Sequence, residues 1–167
     1  MQIPSIRKVN AAGASVCAAL LAYAYYVQFG LQIEPCLLCI FQRVFMILTG
    51  LAFMLAAVHG PRRVGGMVYT GLLTLTTAGG AAIAGRHIWI QSLPADQVPA
   101  CGPGLDYMLE VFSFSETLEM VFTGSGECAE VNWTFLGLSM PVWVLAAFIG
   151  LGVVAVLNNL RRPAAAA

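Results

Sequence analysis

Charge is scarce in this chain. Lysine and arginine together number 8, aspartate and glutamate another 8, so charged residues make up 10 % of its 167 residues, against about 25 % in soluble domains. The net charge is zero, and without a basic surplus nucleic acid is excluded as a partner. Histidine occurs only at positions 59 and 87, and a single Cys-x-x-Cys stands at Cys36 and Cys39. With no second such pair and no pair of histidines at ligand spacing, a zinc half-site finds no complement, and no resident metal is expected. What the chain has in abundance is apolar surface, at 59 % of residues. One integral membrane domain spanning residues 1–167, with lipid as its solvent, is the reading this composition imposes.

Crossing the hydrocarbon core takes about 20 apolar residues. Four segments qualify: 11–29, 40–58, 64–84 and 136–157. The expected fold is therefore an all-α membrane protein, a four-transmembrane-helix bundle. The first segment, preceded by Arg7 and Lys8, has some features of a signal peptide. Its apolar run is too long for one, and a retained helix is preferred. Cys17 lies in the middle of that run and reads as a packing residue.

The few charges are distributed unevenly. Arg7, Lys8, Arg62, Arg63, Arg161 and Arg162 flank the apolar segments, and alternation of four helices brings all six to one side. By the positive-inside rule that side is cytoplasmic, together with both termini and the turn containing His59. All eight carboxylates lie elsewhere: Glu34, Asp96, Asp106, Glu110, Glu116, Glu119, Glu127 and Glu130. Cys36, Cys39, Cys101 and Cys128 then fall on the outer side, where disulfides persist.

The run Glu34-Pro35-Cys36-Leu37-Leu38-Cys39-Ile40-Phe41-Gln42-Arg43 is the most reactive stretch. Pro35 suits a first helical position. Residues 36, 39 and 43 then share one helix face. The positive helix N-terminus and the Arg43 charge both favour thiolate, the reactive form of cysteine. A Cys-x-x-Cys alone could be two small buried hydrophobes. An arginine four residues into an apolar segment is costly and argues for function, with snorkelling to the interface as the bland alternative.

Between the third and fourth segments, residues 86–135 form the only long non-membrane stretch. Pro94, Pro99, Gly102, Pro103 and Gly104 surround Cys101, and Gly124 and Gly126 precede Cys128. Both cysteines are expected on pliable, accessible backbone. Leu105 to Phe122 mixes apolar residues with four acids and suggests a short interfacial helix or a packed cap over the loop. Trp89 and Trp133 fit an interfacial aromatic belt. His87 is expected at about the depth of the cysteine stripe, either as a solvated anchor or as a proton relay. Met140 falls near the same level, where plain packing competes with a ligand contact.

The sequence resembles the DsbB family of disulfide-bond-formation membrane proteins. The resemblance covers nearly the whole chain and rests on Pro35-Cys36-Leu37-Leu38-Cys39 with Arg43, on the loop cysteines, and on Cys128-Ala129-Glu130 leading through Trp133 to Phe135-Leu136-Gly137-Leu138 and Met140-Pro141. It implies an inner-membrane thiol:quinone oxidoreductase. Such an enzyme passes electrons from a DsbA-like periplasmic protein of thioredoxin fold to membrane quinone, either ubiquinone or menaquinone. Carried onto this chain, a Cys101–Cys128 disulfide would be attacked at Cys101 by the partner. A transient Cys101–Cys36 bond would follow, with Cys39 reducing the quinone. Arg43, His87 and Met140 would border the quinone ring.

Three other readings are weaker. A quinone reductase of the vitamin K epoxide reductase kind would carry its redox pair late in the bundle rather than at the second helix. A carrier of soft cations would present cysteine pairs to the cytoplasm at some stage. A structural four-helix protein would leave Arg43 unexplained.

Overall fold

A computed structural model describes residues 5–61, 63–94, 96–98 and 126–161. Four long helices dominate: α1 (Ile6–Gly30), α2 (Leu37–His59), α3 (Arg63–Gln91) and α4 (Met140–Leu160). All four are long and apolar enough to cross a membrane. α1 packs on α2, α2 on α3 and α3 on α4, with a lighter contact between α1 and α4 closing the bundle. Cys101 and the segment expected as an interfacial helix, Leu105 to Phe122, lie outside the described residues.

The core is built where large side chains meet small ones. Phe53, Phe148, Leu73 and Cys17 are buried together between the helices, so Cys17 packs as expected. Gly13 makes this possible on α1, because a Cβ there would stand 2.9 Å from the Phe53 ring. Gly50 does the same on α2, where a Cβ would come within 3.1 Å of the Cys17 Cβ. Small residues that let helices approach closely are the usual means of packing in lipid, where no hydrophobic force favours one apolar contact over another.

One end of the bundle gathers the polar anchors. Ser5 caps α1 by accepting from the Lys8 N–H at 3.4 Å. Arg7 donates to the carbonyls of Ala57 and Val58 at 2.9 and 2.8 Å, placing a cation on the negative end of α2. Gly60 ends α2 in the left-handed conformation at φ 60°, a position that suits glycine. Asn10 of α1 joins Asn158 and Asn159 of α4 through buried side-chain amide bonds of 2.9 to 3.3 Å. These contacts bring the start of α1, the α2–α3 turn and the end of α4 to one side, as the charge pattern requires.

Two element boundaries differ from the sequence reading. The third helix, expected to end at residue 84, continues to Gln91, so the first residues of the long stretch expected after it are helical. At about 1.5 Å per residue, its 29 residues exceed the roughly 30 Å hydrocarbon layer. No proline interrupts it before Pro94, and Arg86 stacks over Trp89 at 4.1 Å. The fourth helix begins at Met140, not at 136. Leu136 and Gly137 instead form the turn of a small hairpin between β1 (Thr134–Phe135) and β2 (Leu138–Ser139). Their φ values of 51° and 77° are those of a two-residue turn whose twist matches antiparallel strands. A serine-to-glutamine bond of 2.8 Å, Ser139 Oγ to Gln91 Oε1, pins the hairpin to the end of α3.

Candidate functional site

Cys36 is the N-cap of α2, with extended backbone at φ −67° and ψ 167°. Its carbonyl accepts from the Ile40 N–H at 3.1 Å, so the helix starts immediately after it. Cys39 therefore lies in the first turn, where unpaired backbone N–H groups concentrate positive potential. The two sulfurs are 3.2 Å apart as free thiols. His87 enters from α3 and spans the pair. Its Nε2 is 3.8 Å from Cys36 Sγ and its Nδ1 is 4.0 Å from Cys39 Sγ. The ring is buried, so the solvated-anchor reading does not hold. Extension of α3 past residue 84 is what carries it under the cysteines.

Gln42 was not singled out by its sequence context, yet it completes this group. It is buried at 4 % exposure, and its Nε2 stands 3.2 Å from His87 Nδ1. One signal could have found it: a polar amide inside an apolar run, three residues after Cys39 and therefore on the same helix face.

Arg43 lies one position further. Its guanidinium is held by α1, donating to Gln28 Oε1 and, at 3.1 Å, to the Ala24 carbonyl. The Tyr25 ring lies 5.2 Å from the guanidinium carbon. A guanidinium fixed by a neighbouring helix is not merely snorkelling toward water. Gln28, like Gln42, went unnoticed in the sequence, because its partner is 15 positions away.

The two cysteines, His87, Gln42 and Arg43 face one cavity of about 530 Å³, within the usual range for small-molecule sites. Cys36, Cys39, Arg43, His87 and Met140 line it together. Its outer wall is an aromatic ladder. Tyr23 meets Trp133 edge-on at 6.1 Å, Trp133 stacks near Phe135 at 6.2 Å, and Phe135 lies 5.8 Å from Trp143. The hairpin holds this ladder in place, with Trp143 Nε1 donating to the Phe135 carbonyl at 3.2 Å.

Cys128 departs from expectation. It sits in the short 3₁₀ turn Gly126–Ala129 and is fully buried rather than accessible. Leu37, Leu38, Ile83 and Ile90 enclose it in a second apolar cluster, against which Cys36 also packs. The glycines before it supply pliancy, but burial against α2 and α3 decides its place. Its expected partner, Cys101, lies outside the described residues.

Fold and site together define a multi-pass membrane protein with a cysteine pair at the mouth of an apolar cavity. The family model for disulfide bond formation protein DsbB matches residues 6–158, and the chain belongs to that family. Its relatives include disulfide bond formation protein B of Hahella chejuensis, 58 % identical over 87 % of this chain and 88 % of the relative. The protein of that name from Nitrosococcus oceani is 55 % identical over 90 % and 89 %. That of Methylococcus capsulatus is 49 % identical over 95 % and 96 %. Membership supports an oxidoreductase role in disulfide formation.

Proposed function

We propose that this protein is a dithiol:quinone oxidoreductase of the bacterial inner membrane that reoxidises a DsbA-like periplasmic partner. The single observation that carries the reading is the convergence of Cys36, Cys39, His87 and Arg43 on one aromatic-walled cavity in a membrane bundle. The apolar and aromatic walls suit a flat ring, while Arg43, His87 and Gln42 offer polar hydrogens to its oxygens. Ubiquinone and menaquinone both fit this description. Quinone supplies a two-electron, two-proton sink when bound there.

The chain's own residues do the rest. A partner dithiol attacks the Cys101–Cys128 disulfide at Cys101, and resolution of the mixed disulfide leaves the partner oxidised and both loop cysteines reduced. Cys101 then attacks Cys36 of an oxidised Cys36–Cys39 pair, breaking that S–S bond and releasing Cys39. Cys128 displaces Cys36, restoring the loop disulfide and leaving Cys36 and Cys39 as the dithiol. Two electrons and two protons have moved inward at each exchange. Exchange of this kind is governed by thiolate fraction and access. Burial of Cys128 in the cluster against which Cys36 packs supports the handover, since it holds that one loop cysteine beside the membrane pair.

Arg43 presents fixed positive charge on the cavity wall, where low dielectric makes it count for more than in water. His87 is placed between the two sulfurs and can take or return a proton at either ring nitrogen. The orientation follows from the charge pattern: both termini cytoplasmic, the redox cysteines periplasmic.

The test is anaerobic mixing of the purified protein, a reduced thioredoxin-fold partner and a ubiquinone analogue, following quinone absorbance. Quinone reduction equal to the partner dithiol consumed is expected. Cys101→Ser should stop partner oxidation while the prereduced Cys36/Cys39 pair still reduces quinone. Quinone left untouched by the unaltered protein would refute the proposal.

A further inference from the structure

We propose that the reduced Cys36/Cys39 pair and His87 form a three-ligand site for a thiophilic divalent cation, Zn²⁺ or Cd²⁺, and that occupation closes the pair to redox exchange. The primary sequence offers only half of such a site. Tertiary structure supplies the third ligand from α3, 51 positions from Cys36. One donor atom from each of Cys36, Cys39 and His87 lies within 4.8 Å of the other two.

The geometry is close to what a tetrahedral ion requires. With Zn–S near 2.3 Å and Zn–N near 2.0 Å, tetrahedral angles put the two sulfurs about 3.8 Å apart and each sulfur about 3.5 Å from the nitrogen. The observed sulfur separation is 3.2 Å, with Cys36 Sγ 3.8 Å from Nε2 and Cys39 Sγ 4.0 Å from Nδ1, and a single ring nitrogen lies within 4.8 Å of both sulfurs. Shifts of about 0.6 Å between the sulfurs and up to about 1.3 Å at the nitrogen, reached by rotating two half-buried cysteines and the ring, close the difference. Metal-bound imidazole ordinarily donates its second N–H to a carbonyl or carboxylate. The Gln42 carboxamide stands 3.2 Å from Nδ1, and turning it over presents its oxygen as the acceptor that position needs. Three protein ligands leave one coordination position, and the cavity provides space for water there.

Binding replaces the two thiol protons with the cation and releases those protons to solvent, with no change of oxidation state. Only the dithiol can bind, because a disulfide has no thiolate to offer. The oxidised pair is therefore immune, and the reduced pair, once metallated, cannot re-form its S–S bond.

The experiment uses the full-length protein in detergent, reduced with a phosphine and freed of excess reductant. One equivalent of Cd²⁺ is added anaerobically. A thiolate-to-cadmium charge-transfer band should appear, and maleimide labelling read by peptide mass spectrometry should show Cys36 and Cys39 protected together. Oxidising the pair beforehand should abolish the band, and a chelator added to the metallated protein should restore maleimide labelling of both cysteines. His87→Phe, which keeps the ring volume, should weaken binding at least tenfold, the lower end of what even an outer-shell loss costs. Protection confined to the loop cysteines, equal affinity in His87→Phe, or no band at all would overturn the proposal. Should that variant prove unstable, the labelling pattern of the unaltered protein decides alone. Neither readout involves quinone, so failure here leaves the redox reading standing.

Discussion

Gln42→Leu probes the site through a residue that touches neither sulfur. Leucine keeps the approximate volume and the helical preference but removes the amide 3.2 Å from His87 Nδ1. The His87 ring is buried at 3 % exposure, so water cannot replace the lost partner without opening the packing. Leaving such a group unsatisfied costs about 1–3 kcal/mol. If the ring escapes this cost by turning, it abandons its station between Cys36 and Cys39. At 1.36 kcal/mol per tenfold, the quinone-linked oxidation of the Cys36/Cys39 dithiol should slow by about 5- to 150-fold. Single-turnover oxidation of the prereduced protein by a ubiquinone analogue measures this directly. Gln42→Glu, which replaces the amide donor with a carboxylate able to pair with the protonated ring, should recover part of the rate, whereas a purely packing role would favour leucine over glutamate. Equal rates for the unaltered protein and Gln42→Leu, with glutamate the slower variant, would refute the positioning role.

Arg43→Ala should reduce quinone turnover at least tenfold while helix content stays near normal, because the guanidinium serves the cavity more than the core; Arg43→Lys should fall between, since its single nitrogen does not reproduce the fork that reaches Gln28 and Ala24 from two nitrogens. Steady-state quinone reduction beside circular dichroism separates these outcomes. Gly13→Val should lower stability by about 1–3 kcal/mol, read as a lower thermal unfolding midpoint in detergent, because a Cβ at Gly13 would already stand 2.9 Å from the Phe53 ring. Activity of the Gly13 variant well below its midpoint should remain, as the contact is in the core cluster and not at the cavity.

The sequence by itself determined the membrane class, the number of long helices and the shared side of the basic residues, because each rests on composition and spacing along one segment. It also marked Cys36, Cys39 and Arg43, which share a helix face through the 3.6-residue repeat alone. Between segments, a shared depth was legible for His87 and Met140, but contacts and distances were not. Nothing local says that α3 runs on to Gln91 and buries His87 against the cysteines, or that Gln42 meets it from α2. Likewise, Leu136 and Gly137 extend an apolar run that looks helical, yet the chain turns there, both residues taking positive φ between the paired strands.

Burial of Cys128 is the clearest case of tertiary decision. Its flanking glycines promise an accessible loop, but the apolar surface of Leu37, Leu38, Ile83 and Ile90 needs a cover, and the 3₁₀ turn supplies it. Local chemistry thus named the reactive groups. Distances among groups on different helices, which fix what those groups can do to one another, exist only once the helices have packed.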